Sequence, residues 1–192
     1  MKKTLYIAFL FIGFSALAQS TESLKTSTKK LYEANFLMDF ETIASNSYPK
    51  MIEIIGTDAF FEKIEKHFEN EEFRLRLQLE SVPFLFGPIK KLEEKSFCVI
   101  TFRNPIRYTY ETKLTAETAV AKSDWLKDSN KTKEVTFEPK RNSFNVRKIT
   151  TFVAVADGTT NNNWKFFNLD DAIQNESFQS IFGESVKKQL GL

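Results

Sequence analysis

The sequence predicts an α+β domain in which N-terminal helices pack on a strongly curved antiparallel sheet. Two observations carry this. Apolar residues recur at spacings of three and four up to Phe68, the period of a one-sided helix. From Phe73 the period becomes two, as in a half-buried strand, and strand signals then dominate to Phe167. Helices first and antiparallel strands after is an α+β order, with the helices covering one face of the sheet.

The first helix runs from about Thr21 to Met38. Leu24, Thr28, Leu31, Tyr32, Asn35 and Phe36 share a stripe, while Lys25, Lys29, Lys30 and Glu33 face away. Asp39 caps a short turn carrying Phe40, Ile43 and Ala44. Tyr48-Pro49 breaks that turn, and Pro49 suits the first position of the next helix, which Gly56 stops. Thr57 or Asp58 caps a third helix with Phe60, Phe61, Ile64 and Phe68 on its apolar side.

Phe73, Leu75, Leu77 and Leu79 then alternate with polar residues. A long strand signal runs from Ser96 to Leu114. One face reads Cys98, Ile100, Phe102, Asn104, Ile106, Tyr108 and Tyr110; the other carries Arg103, Pro105 and Arg107. Pro105 has no N–H to give a ladder, so a bend, bulge or edge is expected there. Asn104 either marks that bulge or points a hydrogen-bonding group inward, and the adjacent proline favours the bulge. Residues 115–142 read as an insertion with a short helix and a strand ending at Pro139. Phe144 to Ala156 and Trp164 to Phe167 form a closing hairpin around the polar loop 157–163. Asn168 or Asp170 caps a last helical stretch.

The 192 residues are 42% hydrophobic and 27% charged, the profile of one globular domain. Lys2 and Lys3, the apolar run Leu5 to Phe14, and Ala16-Leu17-Ala18 have the layout of a secretory signal peptide over 1–18. The apolar run is short for a bilayer span, so no stable membrane insertion is expected after cleavage. The expected product is an exported, periplasmic or secreted domain over 19–192. Without the two lysines, 25 basic residues meet 25 acidic ones. No global basic field argues for nucleic acid. Residues 96–155 nevertheless hold 11 basic and 6 acidic groups. Arg103, Arg107, Arg141 and Arg147 there form a candidate anion-docking surface.

Three stretches carry a resemblance: Leu31-Tyr32-Glu33-Ala34, Asp39 to Ile43, and Tyr48-Pro49-Lys50-Met51-Ile52-Glu53-Ile54-Ile55-Gly56. Together they resemble the helical half of small exported bacterial NTF2-like proteins. The hairpin Val153 to Phe166 is similar to their last strand pair. Residues 115–142 depart from the tight turn expected in that family. The resemblance implies a cone with a pocket between the first helix and the sheet. It implies no activity, because one fold hosts both enzymes and binding domains.

The chemistry-bearing residue types are sparse. One His and one Cys cannot make a His/Cys metal site, and no phosphate-binding glycine loop or G-x-S-x-G elbow is present. No cofactor is expected. Cys98, in an apolar run, reads as a buried thiol, and His67 as a boundary or surface residue. Aromatic residues are the unusual feature: 20 Phe, 5 Tyr and 2 Trp. Most belong to the core, but Tyr32, Phe36, Tyr48, Phe102, Asn104, Tyr108 and Tyr110 are the expected lining of a pocket. The leading expectation is non-enzymatic binding of a small apolar ligand or an envelope protein partner. An isomerase- or dehydratase-like enzyme is the alternative; it needs a buried carboxylate beside a Tyr, with Glu33, Asp39 and Glu53 the nearest candidates. A homodimerising interaction domain is the third.

Overall fold

The structure, a computed structural model, describes residues 21–78 and 80–192; the predicted signal peptide and the expected strand position Leu79 lie outside them. Helix α1 covers residues 21–37. It is followed by α2 (Phe40–Asn46), α3 (Pro49–Ile55), α4 (Thr57–Phe68), β1 (Phe73–Leu77), β2 (Leu85–Phe86), β3 (Lys90–Leu92) and β4 (Lys95–Tyr110). The chain continues with α5 (Ala116–Ser129), β5 (Val135–Glu138), β6 (Ser143–Ala156), β7 (Lys165–Asn168) and α6 (Ala172–Leu190).

Local chemistry explains the helix boundaries. Asp39 accepts from the Thr42 N–H and starts α2. Pro49 opens α3, where its missing N–H costs nothing. Gly56, at φ 87°, ends α3 and serves as the N-cap of α4, so Thr57 and Asp58 lie inside that helix rather than capping it. Only glycine takes that backbone conformation without strain. Thr28 and Asn35 lie on the inner stripe of α1, where they bond the carbonyls of Leu24 and Leu31, each at 2.8 Å. Their polar groups are thus satisfied within the helix. Asp171, not Asn168 or Asp170, caps α6 by accepting from the Gln174 N–H.

Two long antiparallel strands, β4 and β6, form the spine of an open seven-stranded sheet. Strands β1, β2 and β3 pair in succession along the outer edge of β4, and β5 and β7 along the outer edge of β6. The register from Ser96↔Ala156 to Thr109↔Ser143 has no interruption. The expected bulge beside Pro105 is therefore absent. The Pro105 carbonyl accepts from the Gln78 N–H, so its N–H side faces the outer edge just past β1. The missing donor falls where no ladder bond to β6 is lost.

Because the side-chain period is two, even-numbered residues of β4 and β6 share one face and odd-numbered ones the other. Helices cover both, which corrects the one-sided expectation. The even face packs Ile100, Phe102, Ile106, Tyr108, Phe144 and Phe152 with residues of α1, α2, α4 and α5. The odd face packs Phe97, Val153, Val155 and Phe167 against Phe178, Val186 and Leu190 of α6. Gly183, at φ 80°, kinks α6 between Phe178 and Val186. Burial on two sides explains why Phe97 to Ile100 and Phe152 to Ala156 read as continuous apolar runs. The insertion is part of the architecture: β5 extends the sheet, and α5 buries Ala119 and Leu126 on the even face.

Candidate functional site

A cavity of about 260 Å³ lies between the even face and the helices. Leu31 and Tyr32 of α1, Phe60, Ile64 and Phe68 of α4, Leu75 and Leu77 of β1, and Phe102, Ile106 and Phe152 of the spine give it apolar walls. Across the middle of the even face runs a polar band. Asn104 and Lys148 are register partners on β4 and β6, and Thr150 lies opposite Phe102. All three line the cavity.

Four predicted pocket residues, Tyr32, Phe102, Asn104 and Tyr108, do line this cavity. The Tyr32 ring stands edge-on to Phe102 and Phe84, with centroids 5.7 and 5.5 Å away. Its hydroxyl has no hydrogen-bond partner among the described residues, and neither does Asn104 Oδ1. The Asn104 amide nitrogen makes only a long bond to Thr150 Oγ1, at 3.4 Å. Burial, with Glu80 nearby, raises the Tyr32 pKa, so the phenol stays protonated. The Tyr108 hydroxyl donates to Asn130 at 3.3 Å.

The other three lie elsewhere. Phe36 lines a separate groove along α1 with Tyr32, Val82 and Phe84. Tyr110 is buried between Phe73 and Phe144 under α5, with the Lys122 ammonium 5.8 Å above its ring. Tyr48 belongs to the odd-face cluster, stacked on Phe167 at 5.2 Å. Its hydroxyl donates to Asp157 at 2.7 Å. This is a buried carboxylate–tyrosine pair, but its position and bonding are structural. Asp157 also accepts from the backbone N–H groups of Thr159 and Thr160 and from the Thr159 hydroxyl, holding the β6–β7 loop. Burial pushes the Asp157 pKa up, but the bonds from Thr159, Tyr48 and Thr160 outweigh it and the net shift is down. A carboxylate so stabilised is a poor proton acceptor. Burial also raises the Tyr48 phenol to about 12. Glu33, Asp39 and Glu53 are all exposed and line no part of the cavity.

The sequence reading missed the charged rim. Lys63 of α4 pairs with Asp171 at 2.7 Å, and Lys148 of β6 with Asp170 at 2.8 Å. His67, one turn beyond Lys63 on α4, lines the same cavity. The signal for Lys148 was present: in the alternation Phe144, Val146, Lys148, Thr150, Phe152, two inward positions are polar. The thiol of Cys98 sits elsewhere, bonded to the Gly87 carbonyl at 3.3 Å, and burial raises its pKa to about 11. It is a structural thiol in reactivity.

Each of the four arginines proposed as an anion-docking surface has a carboxylate beside it. Arg103 pairs with Glu134, Arg147 with Glu80 at 2.7 Å, and Arg107 and Arg141 with Glu138 at 3.9 and 3.6 Å. Among the described residues, no group of three or more His, Cys, Asp or Glu is placed to hold a metal ion. No helix among them is long and apolar enough to cross a membrane. Comparison with protein-family models, curated proteins and solved structures finds no match to this chain.

Proposed function

We propose that this chain is a non-enzymatic binding domain that holds a small, mainly apolar molecule in the cavity between its helices and the even face of its sheet. The observation that carries this is the pairing of apolar walls with two buried polar atoms, Tyr32 Oη and Asn104 Oδ1, that have no partner among the described residues. Buried polar groups normally have partners, and leaving one without costs about 1–3 kcal/mol. A guest with a polar head on an apolar body would bring hydrogen-bonding atoms into this part of the cavity. Pockets that bind small molecules have this composition, apolar walls with a few placed polar groups. The order of helices before antiparallel strands, with a cavity between them, supports reading the fold as an NTF2-like cone. The charged, apolar, small-residue start of the chain supports export to an envelope or secreted location.

The test is calorimetric titration with 1-octanol, repeated on Asn104→Phe, whose ring would occupy the cavity. Saturable binding lost in the variant is the expected result. Native mass spectrometry of the unmodified protein with 1-octanol gives a second readout if the variant does not fold. Absence of binding in both measurements overturns the reading.

A further inference from the structure

The rim of the cavity is more specific than its walls. His67 is faced by Lys63 from its own helix, by Lys148 from β6, and by Asp170 and Asp171 from the segment joining β7 to α6. Each lysine already has a carboxylate partner. Neither ring nitrogen of His67 has a hydrogen-bond partner among the described residues. His67 is an exposed residue that lines the cavity. Desolvation lowers its pKa, Lys148 and Lys63 lower it further, and Asp171 and Asp170 oppose them. With a neutral imidazole the rim carries two positive and two negative charges. Protonation of His67 adds a positive charge that Asp170 and Asp171, each already paired with a lysine, do not balance.

Resting on the binding reading above, we propose that the guest is an amphiphilic monocarboxylic acid. Its carboxylate sits at the rim beside His67 and Lys148, its chain lies along Leu31, Phe102 and Phe152, and the imidazole takes one proton from solvent as it binds. One carboxylate supplies the one negative charge that the protonated rim lacks. The neighbouring Asn104–Thr150 band keeps the head end of the cavity polar, while the walls beyond it suit a hydrocarbon chain. The charge balance favours a monoanion over a dianionic phosphate, which would leave one negative charge unmatched.

The test compares octanoate with 1-octanol, which has the same chain length and no charge, by calorimetry between about pH 8 and 5.5, where octanoate remains ionised and histidine titrates. Octanoate affinity is expected to rise as pH falls, by up to about tenfold per unit for one linked proton. The 1-octanol affinity is expected to stay flat. Two buffers of different ionisation enthalpy should report proton uptake approaching one with octanoate. His67→Gln should flatten the octanoate profile; if the variant does not fold, the proton count on the unmodified protein decides alone. Octanol binding without pH-dependent octanoate binding overturns the inference and leaves the binding reading standing. Binding of neither probe overturns both. An unchanged octanoate slope in a folded His67→Gln removes the imidazole from the proposal.

Discussion

On the odd face of the sheet, α6 lays Phe178 and Phe182 onto Phe97 and Phe167, with ring centroids 5.0–6.4 Å apart. The hydroxyl of Tyr48, which belongs to this cluster, is bonded to Asp157. On the even face, the same two strands present Asn104, Lys148 and Thr150 to a cavity, and two buried polar atoms there have no hydrogen-bond partner among the described residues. Strand geometry is common to both faces, so the difference lies in side-chain choice alone. A closely packed aromatic cluster of this kind serves stability. On the proposed binding reading, a face that keeps space and unmet hydrogen-bonding capacity gives up stability for recognition.

The largest expected effect breaks the closely packed face. Phe178 is fully buried and touches three other rings. Phe178→Ala should cost about 3–5 kcal/mol, because a buried aromatic leaves a cavity that its neighbours fill only in part. Urea denaturation measures it. A loss under about 1 kcal/mol would show that α6 is not the stabilising layer, and the contrast between the faces would fail.

A smaller effect is expected at Tyr48. Tyr48→Phe keeps the stacking on Phe167 and removes one of the four hydrogen bonds to the Asp157 carboxylate, a loss of about 1–2 kcal/mol. The pH dependence sharpens the assignment. The folded pKa of Asp157 lies below its unfolded value. Its ionised form therefore adds stability above the unfolded pKa, near 4, and that contribution is lost as pH falls through the folded pKa. In Tyr48→Phe the acid-sensitive part should shrink, since one bond favouring the carboxylate is gone. Equal acid sensitivity in both proteins would detach Tyr48 from the loop.

These elements differ in how far the sequence exposes them. Helix ends and strand periods are local properties, so Asp39, Pro49, Gly56 and the alternation in β4 could be read directly. The second helical layer was visible only indirectly, through the doubly apolar runs at Phe97 to Ile100 and Phe152 to Ala156. The polar band could not be read from either strand alone. On its own strand Asn104 reads as a bulge marker because Pro105 follows it. Its meaning depends on a register that places Lys148 opposite, 44 residues along the chain. The rim was harder still: His67, Lys148, Asp170 and Asp171 come together only when α4, β6 and the start of α6 meet. Tyr48 and Tyr110 share the residue type of Tyr32 but fall in filled parts of the core, a difference that packing decides and periodicity does not.

The smallest expected effect probes the open face, and it has the opposite sign. Asn104 sits on the inner face of a central strand with Oδ1 unpartnered and its amide nitrogen weakly bonded. Asn104→Val removes both polar atoms and adds a β-branched side chain that suits a strand. In a site built for stability, losing a side-chain hydrogen bond would cost about 1 kcal/mol. Here there is little bond to lose and an unmet desolvation cost to relieve. The variant should be as stable as the unmodified protein, or more stable by up to about 1 kcal/mol, while 1-octanol affinity falls. Denaturation and titration on one preparation read both quantities. A destabilised variant with unchanged affinity would make Asn104 a structural residue and place the two faces on an equal footing. Stability gained and binding lost at the same position would be the signature of a residue kept for its guest.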